Sequence, residues 1–287
     1  MTKEEENTQK NIDSEIHNSA SESKKSAGTK KSHGEILKDQ ICEGQETYNK
    51  KPGSIILSSM TAGLEIGFSY LLICSLFSFF QDQFTNQTLF KLIAFVYPLG
   101  FILVILGQSI LFTEQTSLLT LPVLNRKRSF GSLFRIWGLV IFGNLIGGFL
   151  IALTLIWIGP KLQLFNLKTI ETIALHVIKP DSLTILISAV LAGWLMGLLS
   201  WLLSSATETV SRIIIIFLIT ATMSFTGLHH SIIGNVEVFS GMITSSAINF
   251  TEYIRFQSLA LLGNAIGGAF FVALLKYRAF VYNVDVN

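Results

Sequence analysis

The sequence predicts an all-α membrane protein with six transmembrane passages, arranged as two inverted three-helix repeats whose second and fifth helices are broken. Three observations predict it. Half of the 287 residues are hydrophobic and only 14% are charged, and long stretches from Ser54 onward carry almost no charge. Two apolar stretches are too long for one straight span, and each has a polar interruption: "FTEQTS" from Phe112 and "FTGLHHS" from Phe225. Finally, "GNLIGGFL" at residues 143–150 returns as "GNAIGGAF" at residues 263–270.

The chain opens with a Lys/Glu/Ser-rich segment, residues 1–33, that is poor in large apolar side chains. Such a segment cannot bury enough surface to fold, so a disordered, charged cytoplasmic tail is expected, without the apolar region of a secretory signal. Over residues 34–53, Leu37, Ile41 and Tyr48 share roughly one helical face, which suits an interfacial helix ahead of the membrane domain. The membrane domain covers residues 54–276. Residues 54–80, 133–158, 183–203 and 256–276 read as simple spans. Residues 92–124 and 213–248 read as half-helices joined by a non-helical loop. Such a loop is tolerated at membrane depth only where it is buried or lines a cavity.

Basic residues set the orientation. Lys50 and Lys51 precede the first span, Arg126, Lys127, Arg128 and Arg135 follow the second, and Arg212 follows the fourth. Lys276 and Arg278 lead into a short tail over residues 277–287, whereas connections 81–91 and 251–255 carry one positive charge each. Both termini are therefore expected in the cytoplasm of a multi-pass plasma (inner) membrane protein. A net charge of +2 gives no reason to expect a nucleic-acid partner. Cys42 and Cys74 fall in different environments and imply no disulfide framework.

The repeat has an order: a glycine-spaced helix (Gly63/Gly67, then Gly193/Gly197), a broken helix with "FT", and a GNxxGG helix. Three passages per repeat is an odd number, so the halves must be inverted. Inverted repeats with broken helices put their binding site at the repeat interface near the midplane. The pair His229–His230 falls there. From Arg212 a helix to Ser224 rises about 18 Å, past the centre of a hydrocarbon core roughly 30 Å thick. Polar groups at that depth face a protein interior or an aqueous path.

These features in sequence order resemble the formate/nitrite transporter family: six spans, "LFT" in the second, "HS" in the fifth, GN pairs in the third and sixth. The resemblance covers about residues 35–280. It implies an aquaporin-like fold, a homopentamer with one pore per protomer, and small monovalent anions or their conjugate acids (formate, nitrite, acetate) as substrates. It implies no cofactor and no enzymatic chemistry. Carried over by residue, His230 stands for the central pore histidine and Thr113 for the loop threonine that hydrogen-bonds it. Leu111 and Phe112 stand for the hydrophobic constriction, and Asn264 for the asparagine that holds the other histidine nitrogen. Lys179 stands for the vestibule lysine, about two residues out of register. The chain departs from the family pattern at Gly193, where an asparagine is usual, and at His229, where an acidic residue is usual. Glu65, Glu114 and Glu237 lie in membrane segments where neutral residues are common.

An imidazole titrates near neutrality and can supply or relay a proton, so an anion shedding its hydration at the constriction could cross as its neutral acid. His230 is expected in that relay. His229 is expected to scaffold the loop or to pair with a membrane glutamate, and Asn144 to bond helix to helix. A neutral-solute channel of aquaporin type is the alternative, though no NPA pair is present. A non-transporting membrane scaffold is a second. A hydrolase using Ser231 and His230 lacks a nucleophile elbow, and a metal site from His229, His230 and Glu237 needs a convergence that spacing does not supply.

Overall fold

The computed structural model describes residues 31–281. The tail expected over residues 1–33 and the end of the segment 277–287 lie largely outside the described residues. Among the described residues the chain is entirely helical, with six helices long and apolar enough to cross a membrane.

The first helix, α1 (His33–Asn49), starts with a capping box in which Ser32 Oγ accepts from the Glu35 N–H and Glu35 Oε2 accepts from the Ser32 N–H. Its Leu37 and Ile41 are buried against Leu121, Trp201, Val272 and Ala273. The stripe read as membrane-facing is thus covered by protein, and Tyr48 reaches the Leu119 carbonyl at 2.9 Å. The first span is α2 (Pro52–Phe80), opened by a proline whose missing N–H costs nothing in a first turn.

The second passage contains α3 (Asn86–Leu92), a 3₁₀ turn, α4 (Pro98–Leu106) and α5 (Phe112–Leu124). Its interruption differs from the sequence expectation. The chain leaves the helix over residues 107–111, with Gln108 at φ 59, and "FTEQTS" forms the first turns of α5. The reason is local. Thr116 and Thr120 return their hydroxyls to the Thr113 and Thr116 carbonyls, so these polar residues are satisfied inside a helix.

The third span is α6 (Phe130–Lys161), followed by α7 (Leu167–Ile178), in a stretch to which the sequence reading assigned no element. This helix buries Ile170, Ile173 and Ala174 and packs on the half-helix α10. The fourth span is α8 (Ser182–Ser205), capped by Asp181. The fifth consists of α9 (Thr209–Thr226) and α10 (Ser231–Thr244), separated at Gly227, whose φ of 72 is the left-handed conformation that ends the helix. The sixth is α11 (Phe250–Ile266), continued through a π-helical stretch, Gly267–Leu274, into α12 (Leu275–Val281).

The inverted repeat is visible in the packing. The first span packs chiefly on the third, and the fourth on the sixth. A side chain at Gly63 would strike the Asn144 backbone, and one at Gly193 the Asn264 backbone. That close approach explains why glycine stands at 193. The half-helices α5 and α10 start from the interior and run toward opposite faces, leaving a polar junction on the axis between the repeats.

Candidate pore site

Both junctions are built from the same parts. At the first, Asn144 Oδ1 accepts from the Phe112 N–H at 2.8 Å. Its Nδ2 donates to the Ile110 carbonyl at 2.9 Å and the Ser59 carbonyl at 2.7 Å. At the second, Asn264 Oδ1 accepts from the Ser231 N–H at 2.8 Å. Its Nδ2 donates to the His229 carbonyl at 3.1 Å and the Ala189 carbonyl at 2.8 Å. Each asparagine thereby satisfies backbone groups that a broken helix leaves unpaired in a medium without water. The GN repeat is the sequence trace of these two clamps. Asn264 therefore holds backbone, and the expected contact with the histidine ring is made by another group.

That ring belongs to His230, the N-cap of α10, only 2% exposed. The Ile232 N–H donates to His230 Nδ1 at 3.2 Å. A nitrogen that accepts cannot carry the ring proton, so the proton sits on Nε2 and is donated to Thr113 Oγ1 at 2.7 Å. The Thr113 hydroxyl is left to donate in turn. Phe101 meets the imidazole edge-on, with centroids 5.0 Å apart.

Two cavities approach this pair from opposite faces. One, about 450 Å³ on the side of α1, is lined by Glu43, Gln108, Ser109, Ile110, Glu114 and Gln115 among others. The second, about 320 Å³ on the far side, reaches His230 past Tyr97, His229 and Ile233. They share no lining residue. Leu111, Thr113 and Phe101 have no exposed surface and line neither cavity, while Ile110 and Glu114, the chain neighbours of Leu111 and Thr113, line the first. Phe112 turns instead toward the third span, edge-on to Trp137.

His229 lines the same far-side cavity as His230. Its Nε2 donates to the Val177 carbonyl at 3.0 Å and its Nδ1 meets Ser188 Oγ at 2.8 Å. The expected pairing with a membrane glutamate is therefore absent; both ring nitrogens are taken by neutral partners. Glu237 lines this cavity and Glu114 the opposite one. Glu65 lines neither; it lies beside the break at Gly107, with Oε2 unpartnered among the described residues.

The far-side mouth is basic. Lys179 lines it together with Lys91 and His176. Lys91 donates to the Phe225 carbonyl at 2.6 Å and lies over the Phe225 ring. His176 stacks on Phe90, with centroids 3.6 Å apart. Desolvation, then the charges of His229, Lys179 and Lys91, hold the His176 imidazole below its ordinary range. The sequence reading did not single out His176, which lies on α7, and counted Lys91, on α3, only as a connection charge. The 3.6-residue periodicity of Ile170, Ile173, Ala174 and Val177 was the signal available.

The family model described as "Formate/nitrite transporter" matches residues 34–278. The chain is 27% identical over 241 residues to the Inner membrane protein YfdC of Escherichia coli (strain K12), covering 82% of this chain and 74% of that protein. Among solved structures, an FNT family ion channel superposes with a TM-score of 0.76 at 22% identity, covering 85% of this chain and 98% of that one. A pentameric formate channel with formate bound superposes with a TM-score of 0.68 at 21% identity, covering 80% and 98%.

Proposed function

This chain belongs to the formate/nitrite transporter family, and from that premise we propose that it conducts small monovalent anions or their conjugate weak acids across the plasma membrane. The observation that carries the proposal is the His230–Thr113 hydrogen bond, set between two cavities that open to opposite faces. Formate and nitrite are the first substrates to try.

In this reading Lys91 and Lys179 draw an anion into the far-side mouth, where the neutral His176 ring forms part of the wall. Toward Leu111 and Phe101 it sheds water, and its charge becomes harder to keep. Thr113, receiving a hydrogen bond from His230 Nε2, turns its own hydroxyl proton to the passing substrate. A second proton on the ring would have to sit on Nδ1, in place of the Ile232 N–H contact. We therefore assign His230 the part of a fixed donor that orients Thr113, with protons exchanged in the cavities. The basic residues at 126–128, 135 and 212 support termini in the cytoplasm, which makes the cavity beside α1 the inner one. A homopentamer with one pore per protomer is the proposed assembly, in keeping with the pentameric formate channel of like fold.

Proteoliposomes test the proposal. Formate or nitrite uptake down a gradient, with internal pH recorded, should exceed that of empty vesicles and should carry protons. Uptake of glycerol but of neither anion would move the chain to the neutral-solute alternative, and no flux at all to the scaffold.

A further inference from the structure

The inner cavity contains a carboxylate that the conduction path, as drawn, does not use. Glu114 follows Thr113 directly in the first turn of α5, is 8% exposed, and lines the cavity. Glu43 of α1, which packs on α5, lines the same space. Gln115, 7% exposed, lines it too, with a buried Oε1 that has no hydrogen-bond partner among the described residues. A carboxylate that lines a cavity next to Thr113 suits a ligand that arrives with a hydroxyl to donate. A protonated monobasic acid is such a ligand; its anion is not.

We propose that Glu114, faced by Glu43, is the proton-exchange site of the inner cavity, serving weak acids with a single ionisable O–H. This rests on the transport reading above and supplies what that reading leaves open, because His230 has no nitrogen available for a second proton. A neutral acid that has passed Thr113 donates its O–H to ionised Glu114. The acid's O–H bond breaks, the carboxyl O–H of Glu114 forms, and the acid leaves as its anion. Glu114 then returns the proton to cavity water. Outward movement runs the same steps in reverse.

The electrostatic surroundings are defined. From α1 and its approach come Lys31, Asp39, Glu43, Glu46 and Lys50, and from α9 comes Arg212. Lys31 is already paired with Asp39 at 2.9 Å. The fourth span contributes only Ser200, Leu203 and Ser204, and residues 105–110 are uncharged. The third and sixth spans also pack on α5 but bring no residue to the cavity. Glu43 is exposed, yet desolvation by the cavity walls, then the Glu46 charge, push its carboxyl above its ordinary value, against the pull of Arg212 and Lys50. Glu43 and Arg212 therefore bear on Glu114 with opposite sign.

The test is formate uptake into proteoliposomes of the full chain, recorded across a pH series for the wild type and three variants. Wild-type uptake should fall on an acid limb, where Glu114 stays protonated and cannot accept. Glu114→Gln should abolish that limb and lower uptake at neutral pH by about 10-fold or more. Glu43→Gln removes a like charge and should move the midpoint to lower pH by roughly half a unit to one unit; Arg212→Gln should move it to higher pH. A Glu114→Gln protein with the wild-type profile, or midpoints that stay put or move together in the other two, overturns the proposal. Should Glu114→Gln fail to assemble, the opposed shifts decide alone. A wild-type protein that moves no formate at any pH overturns the transport reading and the exchange site with it. A conducting protein with unmoved midpoints overturns the exchange site only.

Discussion

The junction at Ile110–Phe112 and the junction at His229–Ser231 are one construction used twice. In each, a GN asparagine ties the first amide of a half-helix to the carbonyl two residues earlier and to the span packed beside it. The difference lies in the residue between. The first junction places Leu111 there, fully buried and apolar; the second places His230, bonded to Thr113. The clamps belong to the fold and repeat with it. The histidine–threonine bond is made only at the second junction, the position where the repeat is broken.

Breaking the clamps should have the largest effect. Asn144→Ala and Asn264→Ala each leave an amide and two carbonyls unpaired in the interior, at about 2–5 kcal/mol. We expect both variants to lose most of their assembled protein in detergent, by similar amounts, as read by size-exclusion chromatography and thermal melting. A large loss for one alone would show that the junctions are not mechanically equivalent. Thr113→Val comes next. It keeps shape and packing but removes the hydroxyl, and should lower formate uptake roughly 10- to 100-fold with assembly unchanged.

Smaller effects separate the two histidines. His229→Asn should shift uptake little, since Ser188 and the Val177 carbonyl are neutral partners at the edge of the cavity. A loss as deep as that of Thr113→Val would move the conducting site by one residue. The smallest effect expected is on stability. The folded-state pKa of Glu43 is raised, so its ionised form is disfavoured by folding, and stability falls as pH rises through its titration range. Glu43→Gln should raise the melting temperature slightly at neutral pH and leave it unchanged at a pH below the Glu43 titration range, where that carboxyl is protonated. The opposite order would mean that Glu43 is held by its basic neighbours.

Much of this was legible in the sequence because membrane constraints are strict. Apolar length gave the spans, and the GN repeat gave the inversion. The break in the second passage was misplaced because "FTEQTS" looks too polar for a helix at that depth; its threonines in fact bond back to their own helix. The role of Asn264 was misread for a related reason. A side chain near a histidine suggests a ring contact, whereas the unpaired backbone of a broken helix has the larger claim on it. Helix α7 was missed because its apolar face, Ile170, Ile173, Ala174 and Val177, is too short to be read as a span. The two-sided division of Glu114 and Glu237 depends on which way each half-helix runs, and only the three-dimensional structure supplies that.

The comparison between junctions can be made in a single protein. His230→Leu gives the second junction the residue of the first, while the Asn264 clamp, which uses backbone only, stays intact. The account predicts a normally assembled protein whose formate uptake, measured in proteoliposomes against the wild type, falls by at least about 100-fold. An assembled His230→Leu protein that takes up formate at the wild-type rate would contradict it, because the residue that distinguishes the two junctions would then have no part in conduction.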